Sequence, residues 1–181
     1  MIRYYSKEGD KKIFQEELII FHCPRYNELP NIDLYIEQVI KYIDDNLKPL
    51  YCYDDEKVLT SAMVNNYVKQ KIVEAPKKKH YTKDHLAYLI LVCILKKVMS
   101  LPEISKLLNM QIKSYPLPEA YDYCISELEN ALKFTFDQEN YIMPNIATKI
   151  TLETKVVRSA VLSCANKIFL QHLLKSLENN D

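Results

Sequence analysis

This 181-residue chain predicts a mainly α-helical fold. Apolar residues recur at three- and four-residue spacing in several separate stretches, the signature of amphipathic helices. Its eight prolines fall at or between the ends of those stretches, Pro30 directly before the cap candidate Asn31. Glycine is almost missing. The one glycine, Gly9, lies near the start, so loops that cradle a phosphate or dinucleotide on bare backbone are excluded. With 48% hydrophobic and 27% charged residues, and 24 basic against 24 acidic, the composition is that of a folded globular protein rather than a disordered or fibrous one.

Residues 1–30 read as a short helix followed by an extended arm, from an apolar stretch (Ile13, Phe14, Leu18, Ile19, Ile20, Phe21) that runs into Pro24. Asn31 is placed to cap a helix in which Ile32, Tyr35, Ile36, Val39, Ile40, Ile43 and Leu47 form one apolar stripe, ended by Pro49. Residues 48–59, with Asp54 and Asp55, read as a connecting loop. Thr60 or Ser61 then starts a short helix to about Lys71, apolar at Met63, Val64, Tyr67 and Val68 and polar at Asn65, Asn66, Lys69 and Gln70. Two asparagines inside a short helix are unfavourable, because their amides compete with the backbone for hydrogen bonds. Glu74 to Tyr81 carries Pro76 and Lys77-Lys78-Lys79 and reads as a tight basic hairpin or loop.

Thr82 is placed to cap a helix to about Met99 whose middle, Leu86 to Leu95, is apolar on every side, the mark of a helix at the centre of a fold. At ten residues this run is about half a membrane span. Ser100-Leu101-Pro102-Glu103 spells a capping box and starts a short helix to Leu108. Beyond Pro116 and Pro118, one helix is expected from Glu119 to Phe136, a loop around Pro144, and a long helix from Thr151 to Leu177. The last carries apolar residues over more than one narrow face, which suits burial in the domain or against a partner chain.

Charge is unevenly distributed. Residues 60–113 hold ten lysines against Glu74, Asp84 and Glu103, a balance of +7, which leaves −7 on the remainder of a neutral chain. A short polar helix offering asparagine and lysine, followed by a lysine hairpin, is the chemistry a DNA major groove and its flanking phosphates accept.

The same stretch resembles a known family. Leu59-Thr60-Ser61-Ala62-Met63-Val64-Asn65-Asn66-Tyr67-Val68-Lys69, with Ile72-Val73, Lys79-His80-Tyr81-Thr82 and Met99-Ser100-Leu101-Pro102-Glu103-Ile104, is similar to the winged helix-turn-helix of MerR-type transcription regulators. The family's recognition-helix arginine falls at Asn65 and the glycine before its leucine pair at Lys71. The chain as a whole, Leu29 to Tyr35 included, resembles an uncharacterised bacterial family of domains of unknown function taken to be MerR-like. The resemblance implies a MerR-like winged helix-turn-helix over residues 31–113, with additional C-terminal helices over 114–181 as the seat of dimerisation or of an effector. The expected function is sequence-specific binding of double-stranded DNA by a homodimeric, cytoplasmic regulator. Asn65, Asn66 and Lys69 would face base edges, Tyr67 would anchor the helix or touch the backbone, and Lys77, Lys78, Lys79 and Tyr81 would form a wing on phosphates. The competing reading is a helical protein–protein interaction module whose lysines are only a solvated face.

Other chemistry finds little support. The cysteines at 23, 52, 93, 124 and 164 show no metal or disulfide spacing, and the histidines at 22, 80, 85 and 172 form no HExxH-like motif. Neither a base nor an oxyanion donor is apparent beside any cysteine. The expectation is a protein that is not an enzyme, has no cofactor or metal, and does not enter a membrane.

Overall fold

The computed structural model describes residues 16–51 and 56–178. The expected contributions of Ile13 and Phe14, and of Asp54 and Asp55, lie outside these residues. The named α-helices are α1 (Ile36–Leu47), α2 (Ser61–Lys69), α3 (Lys83–Leu95), α4 (Leu101–Ser114), α5 (Leu117–Phe136) and α6 (Leu152–Glu178), with 3-10 turns at Tyr26–Glu28 and Lys48–Leu50. Residues 16–19 are also helical. Among the described residues β pairing is confined to two isolated antiparallel bridges, Leu34 with Tyr81 and Lys77 with His80.

Helix α3 is the centre of the fold. From His85 to Leu95 every residue except Tyr88 is buried, and the helix packs against α1, α5 and α6. That burial is the reason a helix with no polar face is stable here. Its thiol Cys93 donates to the carbonyl of Val58, and Cys164 on α6 donates to that of Ile94, each at 3.5 Å. Burial pushes the Cys23, Cys93, Cys124 and Cys164 thiols up to about 12, which leaves them protonated and inert.

The paired helices α5 and α6 run parallel. Tyr123 meets Thr154, Glu127 meets Arg158, and the rings of Phe136 and Phe169 lie 5.0 Å apart, so the contacts ascend both helices together. Parallel neighbours need a connection as long as the helix itself, which accounts for the extended segment 137–151. This segment runs back along α5: the Tyr141 hydroxyl donates to Asn130 at 2.5 Å, and Arg158 binds the carbonyls of Pro144 at 2.8 Å and Met143 at 3.4 Å. Arg158 also contacts both oxygens of Glu127, a fully buried carboxylate, at 3.1 and 3.3 Å.

The arm before α1 is tied to the same helices. Cys23 N–H donates to Glu129 at 3.0 Å, Tyr26 N–H to Asp122 at 2.6 Å, and the Tyr121 hydroxyl to the carbonyl of Pro24 at 2.9 Å. Arg25 makes a two-pronged ion pair with Glu129, and the Tyr26 hydroxyl bonds Asp84 on α3. Leu18, Phe21, Cys23 and Leu29 of this arm join one continuous core that extends to Ile168 on α6.

Three helix boundaries differ from the sequence expectation by several residues, the first being the end of α3, which stops at Leu95 rather than about Met99 and passes into turns over 96–98. Helix α1 begins at Ile36 rather than after Asn31, with the Tyr35 N–H held by Gln38 Oε1 at 2.9 Å. The cause is Leu34, whose N–H and C=O both pair with Tyr81 at 2.9 Å and so keep the chain extended up to that point. Helix α4 continues past Leu108 to Ser114, because Gln111 is buried and donates to the carbonyl of Glu153 at 3.2 Å. The caps at Thr60 and Ser100 form as expected: Thr60 Oγ1 accepts from Met63 N–H at 3.2 Å, and Glu103 reaches back to Ser100 N–H at 2.8 Å.

Candidate nucleic-acid interface

Helix α2 divides cleanly into two sides. Val64 and Tyr67 are buried, at 0% and 4% exposure, while Ala62, Asn65, Asn66 and Lys69 are exposed at helical spacing. Asn66 Oδ1 accepts from the amide of Gln70 one turn on, at 3.1 Å, so both side chains remain at the surface. Nine residues are too few for a stable isolated helix, and α2 holds through its ends and its buried side. At its C-terminus the N–H of Ile72 returns to Tyr67 C=O at 3.0 Å and that of Lys71 to Val68 C=O at 2.9 Å. This is a Schellman motif, with Lys71 at φ 58° in the left-handed position. Ile72 and Val73 then enter the core.

The basic hairpin follows at once. It is a four-residue turn closed by His80 N–H on Lys77 C=O at 2.9 Å, with Lys78 and Lys79 at φ 50° and 64°. The Lys77, Lys78 and Lys79 side chains are exposed. The turn is rooted by Tyr81, whose backbone pairs with Leu34 and whose ring meets His85 edge-on at 5.5 Å. Tyr35 lies over His80 at 4.7 Å between ring centres and remains 54% exposed, so an open aromatic ring stands beside the lysines.

Asn65, Asn66, Lys69, Lys77, Lys78 and Lys79 thus lie at the surface within fifteen consecutive residues. Tyr67 and Tyr81, at 4% and 5% exposure, do not share it. Burial leaves Tyr67 the anchoring half of its expected role, and Tyr81 is the root of the hairpin rather than part of its outer face. Not every lysine of the basic stretch is on offer. Lys96 donates to the carbonyl of Val58 at 2.7 Å, and the Lys97 amine lies 3.7 Å from the centre of the Tyr51 ring and 3.6 Å from Glu56. Lys83 sits 5.3 Å over the ring of Tyr26.

A groove of about 520 Å³ runs between the turn after α2 and helix α4, with Lys71 and Glu74 on one side and Ser105 and Asn109 on the other. Among the described residues no three His, Cys, Asp or Glu side chains are grouped as metal ligands, and no helix is long and apolar enough to cross a membrane.

Residues 24–124, more than half of the chain, match a family described as a domain of unknown function, DUF1836. The chain belongs to the DUF1836 family. The DUF1836 match runs from the arm through α1, α2, the hairpin, α3 and α4 into the first part of α5, so it contains the whole candidate interface. It stops short of the return segment and α6. No curated protein and no solved structure matches the chain.

Sequence reasoning missed the left-handed lysines, the Tyr35–His80 contact and the ion pairs of Arg25 and Arg158. The last had a legible signal. The chain has three arginines, Arg3, Arg25 and Arg158, against 21 lysines, and guanidinium is the cation suited to a two-pronged, partly buried carboxylate contact.

Proposed function

We propose that this protein binds double-stranded DNA as a sequence-specific transcription regulator, with α1 and α2 as a MerR-like helix-turn-helix and the Lys77–His80 turn as its wing. The observation that carries the reading is the outward face of α2. A helix anchored on its far side by Val64 and Tyr67 presents Asn65, Asn66 and Lys69 to solvent, and a turn of three exposed lysines follows it. An asparagine amide can pair with both the acceptor and the donor of an adenine edge, and lysine reaches guanine or phosphate. The hairpin lysines would set position and supply affinity, whereas the helix would supply preference between sequences. A homodimer would present two such helices to a two-fold symmetric site, and the exposed stripe Leu170, Leu174 and Leu177 on α6 suits contact with a second copy.

The test is titration of duplex DNA across salt concentrations. Each neutralised phosphate contributes about 0.9 to the slope of log affinity against log salt, or about fivefold in affinity at 0.15 M salt. Replacing Lys77, Lys78 and Lys79 by alanine is therefore expected to flatten the slope by about 2.7 and to weaken binding on the order of a hundredfold for any sequence. Asn66→Ala is expected to change the preference between sites more than the slope. A parent protein that binds no duplex at 50 mM salt would refute the proposal in favour of a protein–protein interaction module.

A further inference from the structure

Among the described residues, the three non-glycine positions with positive φ are all lysines: Lys71 at 58°, Lys78 at 50° and Lys79 at 64°. An L-residue there is opposed by contact between its Cβ and the neighbouring carbonyl, and glycine escapes that penalty. Each position is one that folding alone assigns to a different residue. Lys71 occupies the site after a Schellman-closed helix where glycine is usual. Lys78 and Lys79 form the central pair of a tight hairpin in which both residues have positive φ, where Asn-Gly is favoured. All three side chains are exposed, so burial supplies no compensation. Lys71 gains something from the negative end of α2, but that attraction is smaller than the left-handed penalty, and the hairpin pair follows no helix terminus.

We infer that these three amines are held in strained turns as phosphate-binding groups, and that Lys71 is a further DNA-backbone contact. The inference rests on the proposed DNA reading and adds to it a residue and a design. The amines issue from backbone fixed by hydrogen bonds, at the foot of α2 and at the tip of the turn, and would meet the sugar–phosphate strand that flanks the groove entered by the helix. Residues held in sparsely populated backbone regions concentrate where function needs the side chain. Here the side chain concerned is the same cation three times within nine residues.

Glycine substitution separates the two roles because they carry opposite signs. Lys71→Gly, and Lys78→Gly with Lys79→Gly, are measured for thermal midpoint and for affinity to a random 24-base-pair duplex between 50 and 300 mM salt. The expected result is a midpoint raised by about 2–4 °C per position together with affinity lowered about fivefold per lysine and a slope shallower by about 0.9 for each. Lys71→Arg, which keeps the charge, is expected to bind within twofold of the parent. A Lys71→Gly variant that binds with the parent's affinity and slope would overturn the inference while leaving the DNA reading intact, whereas unchanged binding by the Lys78→Gly, Lys79→Gly variant would also remove the hairpin from that reading. A lowered midpoint would overturn the inference in another way, by giving the lysines a role inside the fold. Absence of binding by the parent itself would remove the DNA reading and this contact with it.

Discussion

Replacing Arg158 by methionine removes one guanidinium from three elements at once. Its group reaches Glu127 on α5 at 3.1 and 3.3 Å and the return-segment carbonyls of Pro144 and Met143, all from α6. The Glu127 side chain has no solvent exposure and the Arg158 side chain 28%. Loss of the cation leaves a carboxylate buried without its counter-charge, which typically costs about 3–5 kcal/mol. At about 2–4 °C per kcal/mol for a chain of this size, the midpoint should fall by roughly 6–20 °C. Burial already holds the Glu127 carboxyl above its ordinary value, opposed by Arg158, the Tyr123 hydroxyl and the Ile146 backbone. Without Arg158 it rises further. A carboxyl with a raised folded-state value favours the folded state when protonated, so its penalty is absent at acid pH and grows as pH rises through that value. The Arg158→Met defect should therefore be larger at pH 8 than at pH 5. Urea unfolding followed by helical circular dichroism at the two pH values measures it, and Glu127→Leu combined with Arg158→Met should recover most of the loss. A defect under about 1 kcal/mol that does not vary with pH would show that water screens the pair and that something else holds the return segment.

Two further outcomes are expected. Burial lowers the His85 and His172 values, the latter to about 4, with Lys175 and Lys97 adding to the effect at His172. Stability tied to a neutral histidine is full above about pH 6.5 and is lost as pH falls toward the folded-state value, so His172→Gln should lose less of its midpoint than the parent between pH 7 and pH 5. Leu170, Leu174 and Leu177 on α6 are 48%, 47% and 64% exposed at one-turn spacing. If they join two copies, light scattering will give twice the chain mass for the parent and the chain mass for Leu174→Glu.

Much of the helical framework was legible because its signals are local. The stripe from Ile36 to Leu47, the all-apolar run of α3, and the caps at Thr60 and Ser100 each declare themselves within a few residues, and each forms. What escaped depends on distant partners. Asn31 is a sound cap on local grounds, but Tyr81, fifty residues on, holds Leu34 extended and delays the helix. Helix α4 outruns its expected end because Gln111 finds Glu153. The parallel course of α5 and α6 is invisible to periodicity, although a fifteen-residue connection between two helices hints at a crossing longer than a hairpin turn. In the candidate interface, Asn65, Asn66, Lys69 and the hairpin lysines were readable as polar positions on a short helix and a turn. The burial of Tyr81 was not, because its partners, Leu34 and His85, are known only from the fold.

The competing view of the basic stretch, a solvated face with no ligand, makes a physical demand of its own. A face with no task is best built from residues that suit its backbone, as surface positions of helices and turns generally are. Between Asn65 and Lys79 the chain does otherwise at five exposed positions: two asparagines inside a nine-residue helix and three lysines with left-handed backbone. Alanine or glutamate at the first two, and glycine or asparagine at the others, would each favour the same fold by a few tenths to about 1 kcal/mol. Summed over the five, the deficit is several kcal/mol, a sizeable share of the 5–15 kcal/mol by which domains are stable. Val64, Tyr67, Ile72 and Val73 offset it from beneath by burial. Local unfavourability concentrated on one exposed stretch above a buried apolar footing is what the proposed recognition surface would call for, and a passive face supplies no reason for it.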